Sequence, residues 1–303
     1  MIKFSLAAAF FICWFLVGCG GGGDDRAETA RGPFAYDRAA PLGLRDGGRV
    51  NEDYPVEIRD VSFAAAGRRV QAFLVLPPGR GPFPAVVYAH GAGGSRVDFL
   101  PEATWLAGRR VAGLVLEQPE LQLAGSSPLQ RIQAERRRSI RTIVELRRAV
   151  DVVQSLDRID SQRIGFVGWS AGARAGAILA GVERRVDAFA LASAGSEPLQ
   201  TYVQLMPAEL RGDATRLLGD VDPLRWVRRA APAHLLLQDG RRDELVPRDA
   251  LERLAAAASR PKDVRWYDAA HALDVRAVRE RLEWLAQELD ATGTVPGALL
   301  GPQ

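Results

Sequence analysis

Residues 163–173 read Arg-Ile-Gly-Phe-Val-Gly-Trp-Ser-Ala-Gly-Ala, an apolar strand-like run that enters a Gly-x-Ser-x-Gly turn and continues into small residues suited to a helix. A serine at so sharp a strand-to-helix turn takes strained dihedrals, and only small neighbours such as Gly168 and Gly172 let the helix come back so close to the strand. Ser170 would then stand above the edge of a sheet, at a helix N-terminus, as a candidate nucleophile. The same five residues also suit a plain tight turn in a Gly-rich chain, so the remainder of the sequence has to supply the partners that chemistry would need.

A serine hydroxyl is a poor nucleophile at neutral pH; it needs an imidazole to take its proton and a carboxylate to fix the imidazole tautomer. The chain has three histidines. His90 precedes a glycine run and is expected to hydrogen-bond backbone and shape that loop, while His234 opens an apolar run, as a core or strand-edge residue. His271 follows the last strand-like run in a loop at what should be the carboxyl edge of the sheet, so it is the candidate base. For the acid, residues 238–247, Gln-Asp-Gly-Arg-Arg-Asp-Glu-Leu-Val-Pro, offer Asp239, Asp243 and Glu244. Asp243, in the turn where a short carboxylate can reach the neighbouring loop, is preferred. The order Ser170, Asp243, His271 differs from that of chymotrypsin and subtilisin types. An oxyanion needs two aimed N–H groups; Ala171, just after the nucleophile, and Ala92, in the loop His90-Gly91-Ala92-Gly93-Gly94, are the candidates.

Around these motifs the hydrophobic pattern sets the fold class. Residues 56–63 and 70–76 alternate as an antiparallel pair. The runs at 85–89, 111–116, 164–167, 186–191, 234–237 and 264–267 are continuously apolar or short, as strands covered on both faces require. A long amphipathic helix is predicted from about 130 to 156, with Ile140, Ile143, Val144, Val150 and Val153 at helical spacing. These elements predict an α/β fold: an eight-stranded, mostly parallel sheet with helices on both faces. Residues 195–232 are long for a simple connection and form a candidate cap, although Trp226 is assigned to packing a surface helix on the core.

The folded domain is expected to span residues 54–291, with a loose tail at 292–303. Before it, residues 1–18 carry Lys3 and an apolar run too short for a comfortable membrane span, and end in Leu16-Val17-Gly18 before Cys19. That segment reads as an export signal. It also resembles the lipobox of bacterial lipoproteins, which implies a lipidated Cys19 as the first mature residue, a membrane-anchored protein of the cell envelope and, with Gly20 after the cysteine, an outer-membrane destination where such a membrane exists. Residues 19–53 are polar and Gly-rich and read as a flexible tether whose removal should leave the domain unaffected. With 40 basic and 37 acidic residues, and arginine pairs scattered along the chain, no block marks a nucleic-acid groove, and the arginines are expected on a solvated surface. No metal-ligand spacing, cofactor motif or internal repeat stands out.

Residues 84–91, 168–172, 239–243 with Val246-Pro247, and Ala270-His271 together resemble the dienelactone hydrolase and acetyl-xylan-esterase branch of the α/β-hydrolases, over roughly residues 56–289. The resemblance implies hydrolysis of carboxylic esters through an acyl-serine intermediate, without metal or organic cofactor. Ser170 departs from the cysteine of dienelactone hydrolases proper, Ala173 stands where many relatives have glycine, and Glu117-Gln118-Pro119-Glu120 lacks a more usual aspartate. Two other functions fit the same residues: a peptidase or amidase of the prolyl-oligopeptidase type, which usually carries a further gating domain, and an inactive lipoprotein that uses the fold for binding.

Overall fold

The computed structural model describes residues 32–50, 56–118, 127–195, 203–204 and 206–291. Their nine strands form one sheet: β1 (Arg45–Arg49), β2 (Glu57–Ala65), β3 (Arg68–Leu76), β4 (Phe83–Ala89), β5 (Ala112–Leu116), β6 (Ile159–Trp169), β7 (Ala188–Ala192), β8 (His234–Gly240) and β9 (Lys262–Tyr267). The order across the sheet is β1-β2-β3-β5-β4-β6-β7-β8-β9. The first four neighbours are antiparallel, and β5, β4, β6, β7, β8 and β9 run parallel. The parallel part therefore has one carboxyl edge, onto which β4, β6 and β8 all deliver their following loops.

Helices α1 (Leu100–Ala107), α2 (Pro128–Gln154), α3 (Ala171–Ala180), α4 (Arg211–Gly219), α5 (Pro223–Val227), α6 (Arg248–Ala257) and α7 (Val275–Glu288) cover both faces. The strand period shows why the parallel runs are apolar throughout: Ala85, Val87 and Ala89 of β4 join the cluster under α2 and α3, while Val86 and Tyr88 join the one under α1 and α7. The long helix starts at Pro128 because Ser127 and Gln130 close a capping box, each side chain bonding the other's backbone N–H. Trp226 is buried, edge-on to Phe34 at 5.3 Å, and α4 and α5 add Ala214, Leu218 and Val227 to the core, which is the packing role expected of Trp226.

Three expectations change. The sheet has nine strands, not eight, because Arg45–Arg49 adds an antiparallel edge to β2. Its sequence, Arg-Asp-Gly-Gly-Arg, has no alternation to announce it; an edge strand facing water needs only backbone partners, and here Arg59 of β2 also bonds Asp46 at 2.6 Å. Residues 32–50 are consequently part of the folded body and not of a tether. Phe34 is buried, and a row of arginines holds this strap by its carbonyls: Arg147 to Phe34, Arg148 to Arg38 and Ala40, and Arg69 to Gly43. Arg147 and Arg148 are thus buried instead of solvated, which is tolerable because Glu183 and Asp151 pair with them and strap carbonyls accept further N–H groups from each. The expected signal segment 1–18, Cys19, residues 19–31 and the expected tail 292–303 lie outside the described residues. Among the described residues, no helix is long and apolar enough to cross a membrane.

Candidate active site

Ser170 sits between β6 and α3 with φ 54° and ψ −116°, a conformation that costs a side chain about 1–3 kcal/mol. Close packing over-determines it. A Cβ on Gly172 would lie 2.1 Å from the Ala89 carbonyl oxygen, and one on Gly168 would lie 2.6 Å from the Ala173 nitrogen. The Ser170 N–H donates to Ala192 of β7 at 2.9 Å, and its carbonyl accepts the first helical bond from Arg174 at 2.9 Å. Strand, neighbouring strand and helix therefore fix the backbone and leave the hydroxyl to face the carboxyl edge.

The structure brings together the three residues picked from the sequence. Ser170 Oγ is 2.9 Å from His271 Nε2, and His271 Nδ1 lies 2.9 and 3.0 Å from the two carboxylate oxygens of Asp243. With Nδ1–H donating to Asp243, Nε2 is left as the acceptor for the serine proton. The Asp243 side chain is only 2% exposed, and its Oδ1 also accepts the N–H groups of Leu245 and Val246 at 2.9 and 2.8 Å. Two backbone donors and an imidazole thus hold the carboxylate in one orientation.

Several residues missed in the sequence hold His271 in place. The His271 carbonyl accepts from Trp169 Nε1 at 3.1 Å and from Ser193 Oγ at 2.8 Å, while its N–H donates to Glu244 at 3.2 Å. The Trp169 ring also lies 5.3 Å from the imidazole. Trp169 was readable only as the variable residue of the motif, and Ser193 only as the residue after an apolar run. Glu244, a candidate acid by sequence, instead anchors the His271 backbone.

His90 is buried, with Nδ1 donating to the Gly91 carbonyl at 2.7 Å and Nε2 accepting the Gln118 N–H at 3.0 Å. Both nitrogens are engaged in shaping the loop, as expected. His234 opens β8 at the opposite end of the strand, 3.0 Å from Glu288. Ala171 is the first residue of α3, so its N–H has no carbonyl within the helix to reach. Gly91 lies against Trp169 and Ser170, and Ala92 follows it on an exposed turn closed by the Gly94 N–H to the Gly91 carbonyl.

Asp239, at the end of β8, is buried, and its Oδ2 has no hydrogen-bond partner among the described residues. Burial, followed by the negative charge of Asp243, pushes its carboxyl up from 3.8 to about 7. Between those two values the unfolded chain has released a proton that the folded protein still holds, so stability falls as pH rises through that window and the loss is complete above it. Asp239→Asn cannot ionise. It is expected to be more stable than the parent by a few kcal/mol at pH 8, with the gain shrinking toward pH 4; thermal melts at the two pH values measure this, and a gain independent of pH would contradict it.

No protein-family model matches this sequence, and no curated protein sequence matches it. Solved structures do. Acetyl xylan esterase 1 from Thermoanaerobacterium sp. JW/SL YS485 superposes with a TM-score of 0.75 at 15% identity, covering 88% of this chain and 94% of its own. The acetyl xylan esterase from Paenibacillus sp. R4 gives 0.69 at 19% identity, covering 87% and 92%. A puromycin-hydrolyzing peptidase from Mycobacterium tuberculosis gives 0.62 at 22% identity, over 82% of this chain but 41% of that longer one. At these identities the likeness concerns architecture, and together with the sheet order and helix layers it establishes that this chain has the α/β-hydrolase fold.

Proposed function

We propose that the protein is a serine hydrolase that cleaves carboxylic esters through an acyl-serine intermediate. The reading rests on the unbroken hydrogen-bonded line from Ser170 Oγ through His271 to Asp243, with heavy-atom distances of 2.9 Å on either side of the ring. As Ser170 Oγ attacks the ester carbonyl, its proton passes to His271 Nε2, and the imidazolium is stabilised by the Asp243 carboxylate. The carbonyl oxygen becomes an oxyanion that accepts the N–H of Ala171, with Ala92 as the second donor. The imidazolium then protonates the leaving alkoxide. In the second half a water gives its proton to Nε2, attacks the acyl-serine, and Ser170 Oγ leaves with a proton from the ring.

Mass-spectrometric detection of a fluorophosphonate adduct on Ser170 separates this reading from an inert binding protein, which would stay unlabelled. A panel of p-nitrophenyl esters against dipeptide amides separates it from a peptidase; preferential cleavage of the amides would replace the ester reading. The same reading includes lipidation of Cys19 and anchoring in the bacterial cell envelope, because an acyl chain contributes about 0.8 kcal/mol per buried CH₂ and two chains hold a protein stably on a bilayer. Cys19→Ser is expected to move the protein from the membrane pellet to the soluble fraction or to block its maturation, whereas an unchanged distribution would reduce residues 1–18 to an ordinary export signal.

A further inference from the structure

A groove with a volume of about 820 Å³ lies between the strap at 35–41, the β2–β3 turn and α2. That is within the range of roughly 300–1,000 Å³ typical of small-molecule sites. It is separate from the triad. Ala72 of β3 pairs with Leu116 at the end of β5, so the hairpin turn projects past the carboxyl edge; three strand spacings, about 14 Å, separate β3 from β6 across the sheet. Arg138 of α2 turns instead toward α3, sharing Glu135 with Arg174, so the groove occupies another side of α2.

The floor is small and apolar, with Pro41, Ala64, Ala65, Ile140 and Val144. The charges around it are mostly spent. Arg68 is bidentate to Glu145, Arg69 bonds Ser62 and the Gly43 carbonyl, and Arg148 bonds Asp151 and the Ala40 carbonyl. Arg137 and Arg141 differ: both line the groove, both are exposed, and neither side chain has an ion pair or hydrogen bond among the described residues. Four residues apart on one helix, they rise side by side, about 6 Å apart at their bases. One carboxylate, Asp37, also lines the groove, and it is occupied in part by the Ala39 N–H. Two uncommitted guanidiniums over an apolar floor match a ligand that combines an oxyanion with a hydrocarbon body.

We infer that this groove binds a small anionic amphiphile, with Arg137 and Arg141 on a carboxylate or phosphate head and Ala64, Ala65, Ile140 and Val144 against its apolar body. The acid released by ester hydrolysis has this chemistry, and so does a lipid headgroup with its chain. Only the first source rests on the function proposed above. Isothermal titration of the full chain carrying Ser170→Ala measures binding without turnover, so the result stands whether or not the protein is an esterase. Decanoate and decyl phosphate are the probes, with 1-decanol as the uncharged control. At least one anion should bind about tenfold or more tighter than the alcohol, and adding Arg137→Ala with Arg141→Ala should weaken it by a similar factor, as expected on losing two charge-assisted contacts. Tighter binding of decanoate would favour the released acid, and tighter binding of decyl phosphate a lipid headgroup. A paired Arg→Lys variant, which keeps both charges, should retain most of the affinity. Binding of the alcohol as tight as that of the anions, unchanged affinity in the paired alanine variant, or no binding of either anion would overturn the inference.

Discussion

Ser170→Ala is expected to lower kcat for ester hydrolysis by roughly four to six orders of magnitude and to leave the fold intact, because a triad acts as a unit. The bonds that fix the elbow belong to its backbone: the N–H to Ala192 and the carbonyl to Arg174 survive the change. Alanine inherits the same positive φ, so the local strain is neither relieved nor increased by much. His271→Ala should be as severe, and combining the two should cost little more than either alone. Steady-state kinetics beside a thermal melt provide the check: a well-folded Ser170→Ala protein that keeps most of its activity would remove the serine mechanism altogether.

Asp243→Asn comes next, with an expected loss of roughly four orders of magnitude. The reason lies in how the carboxylate is held. Oδ1 accepts two backbone N–H groups, from Leu245 and Val246, so the amide oxygen of an asparagine would take that position and turn its NH₂ toward His271 Nδ1. A ring that must accept at Nδ1 carries its proton on Nε2, facing Ser170, and can no longer serve as a base. Glu244→Gln should be much milder, since an amide oxygen can still accept the His271 N–H, and Asp239→Asn should leave turnover largely unchanged while altering the pH dependence of stability. Kinetics of the three variants side by side decide the matter; a larger loss at residue 239 or 244 would transfer the role of acid to that residue.

The parallel core was legible because a strand buried on both faces has no choice of residue type, and β4 through β8 read as apolar runs for that reason. The Gly-x-Ser-x-Gly turn was legible because only glycine fits where Gly168 and Gly172 stand. The preference for Asp243 over its neighbours rested on reach, and the geometry agrees: the other two carboxylates of the segment point elsewhere, Asp239 into the interior and Glu244 to a backbone N–H. What stayed hidden depends on partners distant in sequence. β1 is polar and becomes a strand only because β2 presents an open edge, and the strap before it is ordered by arginines more than a hundred residues away on α2. Likewise nothing local to Trp169 or Ser193 announces that both support the carbonyl of a histidine in another loop.

The arginine-held strap also has a mechanical meaning. A pull applied at residue 32 loads residues 32–43, where Arg147, Arg148 and Arg69 grip successive carbonyls and Arg185 grips the Tyr36 hydroxyl. These contacts come from α2, from Arg69 of β3 and from Arg185 ahead of β7, and they would be loaded one after another, in the manner of a zip, before force reached β1 and its ladder to β2. β6, which ends just before Ser170, and β8, which leads into Asp243, lie further along the sheet from β1, beyond β2, β3, β5 and β4. A protein tugged from that end would yield first at its strap, with Ser170, His271 and Asp243 still in register.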